Sequence, residues 1–232
     1  MFNTFFCVLL IVATVIATPV TFSNFLGKAP AINPFFGMPG KAPVHIGKWC
    51  PYRDGRGKFD VLKKPDYVCG DFDSIKAEKA KQFRLIHLPD QNKTDLQKTI
   101  EFSLEHQEEW KFNEIILLGG LNGRFDHTMS TLSTLVKFKN EVILALDGEN
   151  LVFCLPEGES ETSADPSKTT NICGIIPILQ RETIVTSQGL RWNLEKTPLE
   201  FGTLISTSNE MTSNQVYLNT TNPVIFTIQM KL

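Results

Sequence analysis

At Asp147 the texture of this sequence changes, and the change limits what the chain can fold into. Before it, short apolar runs alternate with segments of helical period; after it, only β-rich runs follow, separated by turn residues. The first pattern predicts an α/β layer with a parallel sheet, and the second predicts an all-β sandwich or barrel. A length of 232 residues suffices for both cores.

In the first part, Pro65–Cys69 reads as a strand, Ser74 as the cap of a polar helix over 75–83, and Leu85–Leu88 as a second strand. Thr94 and Gln97 have capping-box spacing, and Leu96, Ile100 and Leu104 repeat at helical spacing. Glu114–Leu118 is a strand running into Gly119-Gly120. Met129, Leu132, Leu135, Val136 and Phe138 mark a further helix, before a strand over 141–146. The later β-rich runs are 150–155, 172–179, 183–186, 202–205, 215–218 and 224–230. The expected organisation is a lead-in over 1–60, an α/β domain over 61–147 and a β-sandwich over 148–232.

The first 60 residues fit neither pattern. Phe5–Ala13 and Ile16-Ala17 form an apolar block shorter than the roughly 20 residues of a membrane helix. Small residues follow at Ala17-Thr18, as in a secretory signal, yet nothing before Lys28 is basic. A signal, a buried strand and a mis-assigned gene start all stay open for this block. Residues 18–58 are rich in Pro and Gly without a sustained period, which predicts a linker or poorly ordered lead-in. A net charge of -2 and 42% apolar residues imply neither nucleic acid nor membrane as a partner. The five cysteines are scattered and form no C-x-x-C, so free thiols in a reducing compartment are expected.

Three stretches carry chemistry, each where a strand ends and a loop or helix begins. Open α/β sheets bind ligands at that edge. In CGDFDSI, Asp71 and Asp73 stand two apart, so an extended backbone presents both carboxylates to one side. Mg²⁺ is held by one or two such groups together with phosphate oxygens and waters. A solvated acidic turn is the plainer alternative. Asp95 takes the first helical position, where its charge suits the helix dipole or joins a carboxylate cluster beside phosphates. GGLNGRFDH sets Gly119, Gly120 and Gly123 between strand and helix, with Arg124 as a planar cation for phosphate oxygens. It lacks the G-K-[ST] of a P-loop and the G-x-G-x-x-G of a dinucleotide site, so a plain glycine turn stays open on these residues alone.

The stretches GDFDSI, PDQNKTDLQK, GGLNGRFDH, SQGLRWNL and FGTLISTSN resemble, in order and spacing, the motifs of the thiamine pyrophosphokinase family across residues 65–232. The resemblance implies an α/β nucleotide domain followed by a β-sandwich. It implies transfer of pyrophosphate from ATP to the hydroxyethyl oxygen of thiamine, giving thiamine diphosphate and AMP. It also implies a homodimer with thiamine near the subunit interface. Carried over motif by motif, Asp71, Asp73 and Asp95 are Mg²⁺ ligands at the ATP phosphates, and Gln91 lines the nucleotide. Gly119, Gly120, Arg124 and Asp126 form a second nucleotide-facing loop. Trp192 packs on the thiazolium of thiamine, as a cation–π pair worth about 0.5–2 kcal/mol, with an ordinary core tryptophan as the alternative. Ser206, Ser208 and Asn209 hydrogen-bond in the thiamine pocket. Asp71, Asp73 and Asp126 are all candidates for the base that takes the hydroxyl proton.

Family members open with a strand and an A-D-G-G-type turn whose aspartate joins the acidic cluster. That element is not recognisable here; RDGRGKF, with Asp54, is the nearest stretch. Two readings follow. One is an active thiamine diphosphokinase in which the first 60 residues replace the element; the other is an impaired or truncated homologue that binds thiamine without turnover. A phosphatase of the haloacid-dehalogenase kind, which D-x-D also marks, leaves Trp192 and STSN unexplained. Asn92 and Asn219 stand in glycosylation acceptor sequences. A glycan on Asn92 would sit between Gln91 and Asp95, so a cytoplasmic location is expected.

Overall fold

The structure, a computed structural model, describes residues 9–13, 45–46, 67–72 and 84–231. Asp54, Asp73, the helix expected over 75–83 and nearly all of the Pro/Gly-rich lead-in lie outside the described residues. The described residues fall into two compact units that divide between Thr134 and Leu135.

In the first unit, β1 (Leu9–Ala13) runs antiparallel to β2 (His45–Ile46) and to β5 (Glu114–Leu118), with Leu9 opposite Leu118 and Ala13 opposite Glu114. Part of the apolar N-terminal block therefore forms a strand. β3 (Val68–Gly70) and β4 (Leu85–His87) pair in parallel, Val68 opposite Leu85. Thr94 caps α1 (Asp95–Glu105), its hydroxyl accepting from the Gln97 N–H at 3.3 Å. That bond satisfies one of the helix's orphan donors. The Gln97 amide nitrogen donates onward to Thr134 Oγ1 at 3.5 Å. Helix α1 buries Lys98, Thr99, Ile100 and Ser103, one of them a lysine. A short α2 (Gln107–Trp110) follows, and α3 (Phe125–Lys137) covers the helix expected from Met129 onward.

Strand β5 opens on Glu114, which is buried with one carboxylate oxygen lacking a hydrogen-bond partner. Burial pushes its pKa from 4.5 up to about 7. The folded state then holds this proton more tightly than the unfolded chain does. Stability contributed at this site is therefore present at low pH and is lost as pH rises from 4.5 through about 7. Glu114→Gln should flatten that loss, raising Tm by on the order of 10 °C at pH 8, the shift expected for about 3 kcal/mol, while leaving it nearly unchanged at pH 4.5. Thermal melts of both proteins across this range test the point, and parallel profiles would contradict it.

The second unit contains β6 (Ile143–Asp147), β7 (Asn150–Leu155), β8 (Gly158–Ser163), β9 (Thr169–Ile176) and β10 (Thr183–Gln188). It continues with β11 (Thr197–Leu199), β12 (Ser206–Glu210), β13 (Gln215–Thr220) and β14 (Val224–Met230). Strands β12-β9-β14-β7-β6 are ordered side by side in one sheet, and β11-β10-β13-β8 form another, with antiparallel pairings throughout. Phe153, Ile175, Phe226 and Ile228 from the first sheet share one buried core with Val185, Leu199, Val216 and Leu218 from the second. This is the expected sandwich.

Three details differ from the sequence expectation. Strand β8, GESETS, contains no apolar residue to mark it and sits at a sheet edge. Strand β11 is only three residues long and includes Pro198, which an edge tolerates. The run expected over 202–205 is instead a turn, in which the Thr203 N–H donates to Glu200 O at 3.1 Å and Leu204 is exposed. The strand begins only at Ser206.

Candidate active site

The end of β3 and the start of α1 meet through Asp71 and Asp95. Gly70 has φ 154, and a Cβ there would lie 3.3 Å from the Asp95 carboxylate. The missing side chain lets the helix start approach the strand end. The Asp71 N–H donates to Asp95 Oδ1 at 3.3 Å. Lys98, one turn along α1, places Nζ 2.8 Å from Asp95 Oδ1 and 3.5 Å from Asp71 Oδ2. The lysine side chain is 3% exposed, against 19% for Asp71 and 24% for Asp95. Burial disfavours the charged lysine, but the Asp95 carboxylate, to which the ammonium donates, and the charge of Asp71 outweigh it and hold the Lys98 pKa above its ordinary value.

Two of the three predicted acidic ligands are thus brought together, with a cation between them that sequence reasoning passed over. The signal for Lys98 was its i,i+3 spacing from Asp95, a pairing common on any helix surface. Its burial is what distinguishes it. Gln91 sits in the exposed loop and its amide donates to Pro89 O at 3.4 Å.

In the glycine loop, Gly119, Gly120 and Gly123 have φ of 92°, 92° and 89°, a region that residues with a Cβ rarely occupy. Arg124 and Asp126 form a two-pronged pair at the start of α3. Arg124 Nε donates to Asp126 Oδ1 at 3.0 Å and Nη2 to Oδ2, and both side chains are exposed. The Arg124 hydrogen bond holds the Asp126 carboxyl below the usual carboxylate range.

In the second unit, Trp192, Ser206 and Asn209 converge. Trp192 is 52% exposed, so it is not a core tryptophan, and the Arg191 guanidinium lies over its ring at 4.7 Å. Asn209 is 2% exposed. Its Oδ1 accepts from the N–H of Trp192 at 3.2 Å and of Glu210 at 2.8 Å. Its Nδ2 donates to Trp192 O at 2.9 Å and Ser206 Oγ at 3.3 Å. Four bonds fill the capacity of the amide, so Asn209 is a brace beneath Trp192. Ser208, with φ 54, lies where the β12–β9 register shifts between Ser206 and Asn209. Such a bulge re-aims side chains at a strand edge.

Among the described residues no group of three or more His, Cys, Asp or Glu gathers as a metal cage. Asp71 and Asp95 nevertheless offer hard oxygens on adjacent, partly exposed carboxylates, a donor set that fits Mg²⁺ with phosphate and water completing the shell. No helix among the described residues is long and apolar enough to cross a membrane.

Two family models match the chain: the thiamin pyrophosphokinase catalytic domain over residues 52–145 and the thiamin pyrophosphokinase vitamin B1 binding domain over residues 161–225. Thiamin pyrophosphokinase 1 of Caenorhabditis elegans is 49% identical over 183 residues, covering 74% of this chain and 75% of that protein. The chain belongs to the thiamin pyrophosphokinase family. Thiamine pyrophosphokinase 1 of Oryza sativa subsp. japonica, another member, is 34% identical over 177 residues, covering 72% of this chain and 67% of its own. Among solved structures, the family's fold recurs in thiamin pyrophosphokinase from Candida albicans, with a TM-score of 0.62 at 20% identity, covering 73% of this chain and 74% of that one. The Bacillus subtilis thiamine pyrophosphokinase gives 0.60 at 22%, covering 72% and 80%.

Proposed function

We propose that this chain is a thiamine diphosphokinase, moving pyrophosphate from ATP to the hydroxyl of thiamine and releasing AMP. The observation that carries the reading is the meeting of Asp71 and Asp95 at a strand end and a helix start, in a chain of this family. Asp71 and Asp95, with Asp73, would hold Mg²⁺, which when bound neutralises charge developing on the phosphate oxygens. Arg124 and the backbone N–H groups of the glycine loop hold those oxygens in line for attack on the β-phosphorus. Gln91, Gly119 and Gly120 line the nucleotide. The thiamine hydroxyl oxygen forms the new P–O bond as the bond to AMP breaks, and its proton passes to Asp71, Asp73 or Asp126.

Trp192 offers its exposed face to the thiazolium, with Ser206 and Ser208 at the polar rim and Asn209 bracing the tryptophan backbone. The parallel β3–β4 pair supports reading the first part as a parallel-sheet nucleotide domain. The limits of the two family models, 145 and 161, support a functional boundary near Asp147. A homodimer working in the cytosol, where ATP and Mg²⁺ are supplied, completes the proposal.

Purified protein given ATP, Mg²⁺ and thiamine should form thiamine diphosphate and release AMP, with no ADP. Release of ADP, or no AMP under any condition, would overturn the assignment. Thiamine binding in calorimetry without turnover would leave only the impaired reading.

A further inference from the structure

We infer that Lys98 is a built-in counter-ion that keeps the acidic pair from taking a divalent cation before the nucleotide arrives, so that cation and ATP are taken up together. The inference rests on the reading of Asp71 and Asp95 as the cation site. Two carboxylates and one ammonium leave these three side chains with one net negative charge; without Lys98 they would present two. The ammonium also stands 2.8 Å from Asp95 Oδ1, on an oxygen that a cation would use.

Lys98 cannot leave cheaply. Its side chain is almost wholly buried on the inner face of α1, beside Thr99 and Ile100, which are buried too. Lys93 makes a useful contrast. It pairs with Asp90 and Glu101 through side chains that are all more than a quarter exposed, where water screens the charges and the partners exchange freely. An ordinary helix-surface pair of that kind would be enough to hold the start of α1. Burying a lysine is costly, and it persists where the carboxylates it neutralises must stay close together. Nucleotide phosphates bring both further oxygen ligands and negative charge, so they restore the attraction for a divalent cation that Lys98 removes. The ammonium then remains as a positioning group for Asp71 and Asp95.

Mn²⁺ is a suitable probe, because its free ion is counted directly by electron paramagnetic resonance. The full chain is titrated into fixed Mn²⁺, with and without a non-hydrolysable ATP analogue, as wild type and as Lys98→Met, which keeps the length of the stem. Wild type should bind Mn²⁺ at least about tenfold more tightly with the analogue than without it. Lys98→Met should bind Mn²⁺ without nucleotide on the order of tenfold more tightly than wild type, the scale expected for one unit charge near a divalent ion in well-screened surroundings. Unchanged or weaker binding by the variant overturns the inference. Should circular dichroism show the variant unfolded, the wild-type comparison decides alone, and equal affinity with and without analogue overturns it. Mn²⁺ bound by wild type in neither state would instead remove the acidic pair as the cation site, and the inference falls with it.

Discussion

Asp95→Asn should lower the rate of AMP release by about 10²–10³-fold, the range seen when one preorganised electrostatic group is removed from an active site. Asp95 serves three partners at once. It accepts from the Asp71 N–H, pairs with Lys98 and closes against Gly70. Asparagine keeps the shape and the bond from Asp71 but removes the charge. Lys98 is then left in a buried position with Asp71 as its remaining carboxylate, at 3.5 Å. Because Asp95 is partly exposed, the cost of that loss is discounted to about 1–3 kcal/mol. The melting temperature should fall by roughly 3–8 °C in consequence. Single-turnover AMP release on folded protein, below the melting point, separates the two effects. A rate within fivefold of wild type would remove Asp95 from the catalytic group.

Asn209→Ala should damage the other half of the molecule. Its amide makes four bonds from a position shielded from water, two of them to the backbone of Trp192. Alanine leaves the Trp192 N–H and carbonyl without these partners and frees the Ser206 hydroxyl. Orphaned buried polar groups cost about 1–3 kcal/mol each. Trp192 is half exposed and water rescues part of that loss, so about 2–3 kcal/mol is expected in total. Thiamine should bind at least about tenfold more weakly because its indole platform is no longer held in place, while the affinity for ATP stays within about twofold. Calorimetry with each substrate distinguishes this from general unfolding, which would weaken both. Equal losses for thiamine and ATP would refute a brace that acts through Trp192.

Much of the molecule was legible in the residues. The cap at Thr94, the strand Glu114–Leu118 and the strands at 150–155 and 224–230 follow from local spacing, and the structure has them at those places. The adjacency of Asp71 and Asp95 was legible only through motif order, since 24 residues separate them in the chain. Lys98 was not legible. Its spacing is ordinary, and its significance lies in burial, which only the packing of α1 reveals. Strand β8 escaped because serine, threonine and glutamate carry no period-two signal when the pairing partner supplies the apolar side. The resemblance assigned Asn209 to the thiamine pocket; its four internal bonds, two of them to the Trp192 backbone, were not legible in the residues. The apolar block near Met1 held several readings because composition alone does not state which edge a strand will take; β1 takes the edge of β5.

The order of strands in the second unit bears on how this protein is made. β14 lies between β7 and β9, and Val224, Ile225 and Phe226 in it are fully buried. The middle of that sheet is therefore the last of its strands to be synthesised. About 70 residues separate the end of β7 from the start of β14, an interval of several seconds at the usual pace of translation. Until β14 is made, β7 and, once it is made, β9 lack the strand that lies between them, and the two edges it will cover stay open to chaperones and proteases. The time this unit stays vulnerable is set by the ribosome, and its final stability has no part in it.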